Sequence, residues 1–126
     1  MTRAVWFELY VTDIDGARRF YGAVFGWQLE GFAGYDPENY FLLQEADGTS
    51  VGGAIVRRES VPELETAVGA QTVVYLEVTD LEGTLDRVRA AGGGVVTQRR
   101  PIGDDDGSFA LVTDPEGTVV GIWSAT

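Results

Sequence analysis

The sequence predicts an α+β fold made of two tandem copies of one strand–helix–three-strand module. Three observations carry this. LYVTDIDG at Leu9–Gly16 matches LEVTDLEG at Leu76–Gly83, with the paired aspartates, Asp13 and Asp80, 67 positions apart. DGTSVGG at Asp47–Gly53 matches EGTVVGI at Glu116–Ile122 at a spacing of 69, so the second copy holds only two extra residues between the matches. In each copy, strand-like alternation gives way at the aspartate to apolar residues at helical spacing.

The first copy opens on an alternating strand at Val5–Thr12. Asp13 is placed to cap the helix that follows, whose Ala17, Phe20, Tyr21, Val24 and Phe25 are expected to form its core face. Gly26 stands where a helix closes on a left-handed residue, and Trp27 beyond it reads as packing. Three strands follow, Gln28–Gly31, Tyr40–Gln44 and Thr49–Val56. The second copy repeats this order with a strand at Thr72–Thr79, a cap at Asp80 and a helix carrying Leu81, Leu85, Val88 and Ala91. Gly92 closes that helix, and the strands Val95–Arg99, Phe109–Thr113 and Thr118–Ser124 complete the copy. Tight turns at 46–49 and 115–118 make the last two strands of each copy hairpins. The polar stretch 58–70, with Pro62 and Gly69, reads as a linker with one helical turn. One domain is expected, its modules spanning about 4–57 and about 71–125. The loops Phe32–Asn39 and Arg100–Ser108 are long for hairpins, and the second carries Asp104, Asp105 and Asp106. Such loops beside a curved sheet read either as ligand lids or as solvated acidic turns.

A chain of 126 residues, 44% hydrophobic and 23% charged, can bury one sizeable core. No apolar run reaches the length of a membrane span, and the N-terminus enters a strand with no signal-peptide pattern. A soluble cytoplasmic protein is expected. The net charge of −11, with Arg18/Arg19, Arg57/Arg58 and Arg99/Arg100 the only basic pairs, argues against nucleic acid as a partner. An acidic surface serves either solubility or the attraction of a cationic ligand. The absence of Cys and His removes disulfides, thiolate nucleophiles, the commonest transition-metal ligand and the commonest general base near neutral pH.

The pieces VTDIDGARRFYGAVFGW, VTDLEGTLDRVRAAGGGVV and the terminal DPEGTVVGIW together resemble the vicinal oxygen chelate superfamily, also called the glyoxalase/bleomycin resistance/dioxygenase superfamily. The resemblance covers nearly the whole chain. It implies paired βαβββ modules in an incomplete, curved mixed β-barrel around a pocket, usually in homodimers. It also implies a divalent metal held by four side chains, from the first and last strand of each module. Those positions fall on Trp6, Gly52, Val73 and Gly121, none of which ligates through its side chain. The resemblance therefore implies fold and cavity without metal chemistry, and no cofactor is expected. Whether the two modules pair within one chain or between chains stays open.

Alternation then assigns the cavity face. Trp6, Glu8 and Tyr10 are expected to face the cavity, with Phe7, Leu9 and Val11 packed under the helix. In the second copy Val73, Tyr75 and Glu77 face it, with Val74, Leu76 and Val78 in the core. Gly121 and Trp123 share the cavity face, with Val120 and Ile122 behind, and Gly52, Ala54, Tyr40, Leu42 and Phe109 complete the lining. The paired glycines are expected to leave floor space, and the aromatics to give stacking area with one polar handle on each Tyr and Trp.

Three function classes follow. One is a metal-independent binder that sequesters a bulky, partly aromatic small molecule, resembling the bleomycin-resistance branch of the family. Another is a lyase or isomerase with Glu8 or Glu77 as general base, or with both holding a hard ion such as Mg²⁺ through water. The last is a protein-interaction or structural role, with the cavity filled by its own side chains.

Overall fold

The computed structural model describes residues 2–65, 72–115 and 117–126. Eight strands form a single sheet in the order β2-β3-β4-β1-β5-β8-β7-β6. The first module contributes β1 (Ala4–Val11), α1 (Ile14–Phe25), β2 (Gln28–Phe32), β3 (Asp36–Gln44) and β4 (Ser50–Arg57). The second contributes β5 (Thr72–Glu77), α2 (Leu81–Ala90), β6 (Gly94–Pro101), β7 (Ser108–Thr113) and β8 (Val119–Ser124). The strand order reads the same from either edge under exchange of modules. β1 pairs in parallel with β4, as β5 does with β8, and the modules join where β1 runs antiparallel to β5. They therefore pair within one chain, and one curved sheet carries the inner faces of both.

The helix starts show why the repeated motif ends as it does. The Asp13 carboxylate accepts from the Gly16 N–H at 2.9 Å, and Asp80 accepts from Gly83 at 3.0 Å. A Cβ on Gly16 or Gly83 would lie 2.5 or 2.2 Å from the capping carboxylate, so glycine three residues after the cap lets the cap close. Gly26 ends α1 in the left-handed region at φ 74°. The last hairpins also correspond: Gly48 donates to the Glu45 carbonyl at 2.9 Å and Gly117 to Asp114 at 3.0 Å. Glu116, part of the 115–118 turn, lies outside the described residues.

Each helix packs on the outer side of its own module. Ile14, Ala17, Leu29, Leu43 and Ile55 form the first outer core, and Leu81, Leu85, Ala110, Val112 and Ile122 the second. An inner core lies on the concave face: Tyr10, Ala54, Val56, Val73, Tyr75, Leu111 and Val119. Three expectations need correction. Phe20, Val24 and Phe25 are 55%, 56% and 54% exposed, because the sheet covers only the narrow stripe of α1 that carries Ile14, Ala17 and Tyr21. Val74, expected in the core, is 45% exposed, because it sits on the outer face of the central seam between the two helices. Ala91 caps α2 in an exposed position.

The loop expected at Phe32–Asn39 is also shorter. β3 starts at Asp36, so only three residues separate β2 from β3, and the turn closes through Tyr35 N–H to the Phe32 carbonyl at 3.1 Å. The polar run DPEN conceals this strand from a reading based on hydrophobic alternation. The linker carries two 3-10 turns, Arg58–Ser60 and Pro62–Glu65, and its residues 66–70 lie outside the described ones. Among the described residues no helix is long and apolar enough to cross a membrane.

Candidate functional site

The concave face encloses a cavity of about 490 Å³. Its floor is built by β1, where alternation sends Trp6, Glu8 and Tyr10 inward, and by Tyr75 on the adjoining β5. Tyr40, Leu42 and Val56 line it from the rest of the first module, and Thr97, Phe109, Leu111 and Trp123 from the second. Trp6 and Trp123 therefore face the same cavity.

At the centre lies Glu8, only 6% exposed. Its Oε1 accepts from the hydroxyls of Tyr10 and Tyr75, the latter at 2.9 Å, and its Oε2 accepts from Tyr40 at 2.6 Å. Tyr40 in turn accepts from the Trp6 Nε1–H at 2.8 Å. Every donor in this cluster is neutral. Burial pushes the Glu8 carboxyl above its usual range, although the hydrogen bonds from Tyr10, Tyr40 and Tyr75 pull the other way. Burial, reinforced by the adjacent Glu8 charge, holds the hydroxyls of Tyr10, Tyr40 and Tyr75 well above the ordinary tyrosine range. Tyr35 is raised for the same two reasons.

Two rings are fixed by their polar edges, which frees their faces. Trp6 is tied to Tyr40, and the Trp123 Nε1–H donates to the Asp106 carbonyl at 2.9 Å. Phe109 lies edge-on to Tyr75 at 6.3 Å and to Tyr35 at 6.4 Å. The cavity walls thus interlock across both modules.

The rim holds the residues that alternation did not find. Phe32, Tyr35 and Asp36 lie at and beside the β2–β3 turn, Arg100 near the end of β6, and Ile102 and Asp106 in the β6–β7 connection. The two turns touch: a Cβ on Gly103 would meet the Gly34 carbonyl oxygen at 2.7 Å. The linker crosses the same side. Val61 packs on the inner core, and Glu63 accepts from Thr97 Oγ1 at 3.1 Å and pairs with Arg100 at 3.2 Å. The only sequence signals for these residues were the unusual loop lengths and the aromatic Tyr35 between Gly34 and Asp36.

Several expected lining positions lie elsewhere. Glu77 ends β5 at the sheet margin and turns out to Arg3, whose Nε lies 3.3 Å away, so it is not part of the cavity. Ala54 and Val73 are fully buried in the inner core beneath the floor. Gly52, at φ 98°, faces open space and does not line the cavity. Gly121 does point inward, but the Tyr75 ring fills its space: a Cβ there would lie 2.4 and 2.5 Å from Tyr75 Cδ2 and Cε2. Its role is to let Tyr75 reach Glu8. Gly121→Ala is expected to lower stability by about 1–3 kcal/mol, because a buried ring with a fixed hydroxyl has nowhere to move. Urea unfolding of the variant checks this.

A divalent metal does not fit here. The four positions at which the sequence resemblance implied ligands supply no donor side chain, and Tyr75 occupies the space over one of them. Among the described residues no three of His, Cys, Asp and Glu gather where a metal ion could be held.

Comparison with known proteins agrees with the fold. A family model described as Glyoxalase/Bleomycin resistance protein/Dioxygenase superfamily matches residues 3–122. A Mycobacterium tuberculosis protein named "Putative glyoxylase CFP32" is 29% identical over 126 residues, 95% of this chain and 44% of its own length. The chain thus spans less than half the length of the first curated relatives it matches. A Vibrio parahaemolyticus protein named "Probable lactoylglutathione lyase" is 29% identical over 89% of this chain and 83% of its own. The crystal structure of a superfamily member from Vibrio splendidus 12B01 superposes with a TM-score of 0.63 at 20% identity, covering 100% of both chains.

Proposed function

This chain belongs to the glyoxalase/bleomycin resistance protein/dioxygenase superfamily, and from that premise we propose that it binds and sequesters a bulky, partly aromatic small molecule without a transition metal. The observation that carries this reading is a cavity of about 490 Å³ with aromatic walls and no metal-ligating side chain at the four family positions. Such a volume suits a drug-sized ligand. Trp6 and Trp123, each anchored by its indole N–H, present ring faces whose orientation is set before the ligand arrives, which lowers the entropy lost on binding. The outcome for the cell is protection from a toxic natural product.

The test is titration with a panel of aromatic natural products, followed by calorimetry and tryptophan fluorescence. Saturable quenching by at least one member is expected, and it should weaken about tenfold or more in Trp123→Ala, which removes a wall. A panel that leaves both signals flat overturns the reading.

A second reading has its own observation. Glu8 is a buried carboxylate inside the cavity, raised by burial, which is how a general base is poised. The names of the relatives, a glyoxylase and a lactoylglutathione lyase, also favour an isomerase or lyase. Turnover of a carbonyl substrate that falls in Glu8→Gln and persists in Glu77→Gln would establish this activity in place of sequestration.

A further inference from the structure

We propose that the ligand carries an organic cation, a quaternary ammonium or protonated amine, seated against Glu8 in the aromatic floor of the cavity. This rests on the binding reading above and names the chemistry that the site selects.

The geometry points there in three steps. First, Glu8 is a buried carboxylate whose three partners, Tyr10, Tyr40 and Tyr75, are all neutral hydroxyls. They orient the carboxylate and leave its charge uncancelled. The ion pairs between described residues are Arg3–Glu77, Arg89–Asp86 and Arg100–Glu63, and none reaches Glu8. Oε2 accepts one hydrogen bond where Oε1 accepts two, so an acceptor direction remains on it.

Second, the surroundings favour positive charge. The rest of the lining carries Asp36, Glu63 and Asp106 against one arginine, Arg100, which already faces Glu63. A cation entering the cavity therefore meets a negative potential at the rim and a negative charge at the floor.

Third, the walls decide which cation. Ring faces attract a cation most strongly where water is excluded. Divalent ions such as Mg²⁺ or Ca²⁺ need about six or more oxygen ligands, and one carboxylate among aromatic rings cannot replace their hydration shell. An alkylammonium group sheds water easily, fills apolar volume and keeps its charge. The tyrosines then have a purpose beyond hydrogen bonding, because they hold the carboxylate in place without competing with the ligand for its charge.

The test compares two isosteres that differ only in charge, benzyltrimethylammonium and neopentylbenzene, by tryptophan fluorescence at pH 8 in low salt. The ammonium is expected to bind at least about tenfold more tightly. Glu8→Gln should lower this ratio severalfold, towards the small preference that the ring faces and rim carboxylates keep. Equal binding of the two probes by the native protein, or an unchanged ratio in Glu8→Gln, overturns the proposal. Displacement of the ammonium by millimolar KCl with no effect of an equal concentration of choline chloride also overturns it, because the site would then select an inorganic ion. The native comparison needs no variant, so it stands even if Glu8→Gln fails to fold. Should neither probe bind while the aromatic panel does, the cation assignment fails and the binding reading survives. A flat response to both probes and panel removes the two together.

Discussion

Above pH 10 the protein is expected to unfold steeply, with Tyr10, Tyr40 and Tyr75 ionising only as the chain opens. All three hydroxyls are held well above the ordinary tyrosine value of 10.0 by burial and by the Glu8 charge beside them. Below pH 10 they are protonated in both states, and the stability their burial contributes is fully present. As pH rises beyond that value, the unfolded chain releases these protons and the folded one does not. Stability then falls by about 1.4 kcal/mol per pH unit for each tyrosine, or about 4 kcal/mol per unit for the three. A domain of ordinary stability is exhausted within about two or three such units. The measurement is absorbance near 295 nm beside near-ultraviolet circular dichroism in one alkaline titration. Coincident transitions are expected for most of the tyrosine signal. Free ionisation of these tyrosines in a protein that keeps its tertiary signal would refute the cluster as described.

Glu8→Gln is expected to be more stable than the native protein at neutral and alkaline pH, and this is the larger surprise for a residue at the centre of the site. Burial raises the Glu8 carboxyl, so its contribution is fully present below the unfolded value of 4.5 and is lost as pH rises through the higher folded one. Glutamine has no proton to lose. Its carbonyl can accept from Tyr10 and Tyr75, and its amide can donate to the Tyr40 oxygen, so that only the Tyr40 proton must find another acceptor and no desolvated charge remains. The gain is expected to be about 1–3 kcal/mol above the Glu8 transition, and to shrink as pH falls towards 4.5. Glu8→Ala should behave oppositely, because it leaves three buried hydroxyls without their acceptor, each at about 1–3 kcal/mol. Urea melts of the three proteins from pH 5 to 9 separate the cases. A Gln variant less stable at every pH would mean that the tyrosine hydrogen bonds outweigh the loss of hydration. Where the expected order holds, Glu8 is retained against stability, as a group that serves binding or chemistry would be.

The repeat made the module legible because its capping chemistry is local. Asp13 with Gly16, and Asp80 with Gly83, form a hydrogen bond across three residues that can be read directly along the chain. Strand alternation likewise put Trp6, Glu8, Tyr10, Tyr75 and Trp123 on one face, and the cavity contains all five. It failed where a strand ends or a neighbour intrudes. Glu77 has the right parity, but it sits at the margin beside Arg3. Gly121 has the right parity too, yet a ring from the next strand covers it. The rim was hidden for a different reason: Tyr35 comes from the β2–β3 turn, Val61 from the linker and Arg100 from the end of β6, and only the curved sheet brings them together. The apolar pattern of α1 is wider than the stripe that the sheet covers, so it overstated the core at Phe20, Val24 and Phe25.

The hydrogen bond between Tyr75 and Glu8 joins residues 67 apart, the spacing that separates Asp13 from Asp80. Glu8 and Tyr75 are thus the same position in the two copies. Phe7 likewise lies directly opposite Val74, its own counterpart, so an approximate twofold axis runs through the seam between β1 and β5, with Glu8 and Tyr75 flanking it. Two identical modules would place two glutamates there, repelling each other, or two tyrosines with no strong acceptor. Carrying both copies on a single chain lets one side of the axis become the acceptor and the other the donor. A single carboxylate held by a tyrosine from the opposite copy is therefore something that two identical modules could not build, and the centre of this cavity depends on the copies differing at that one position.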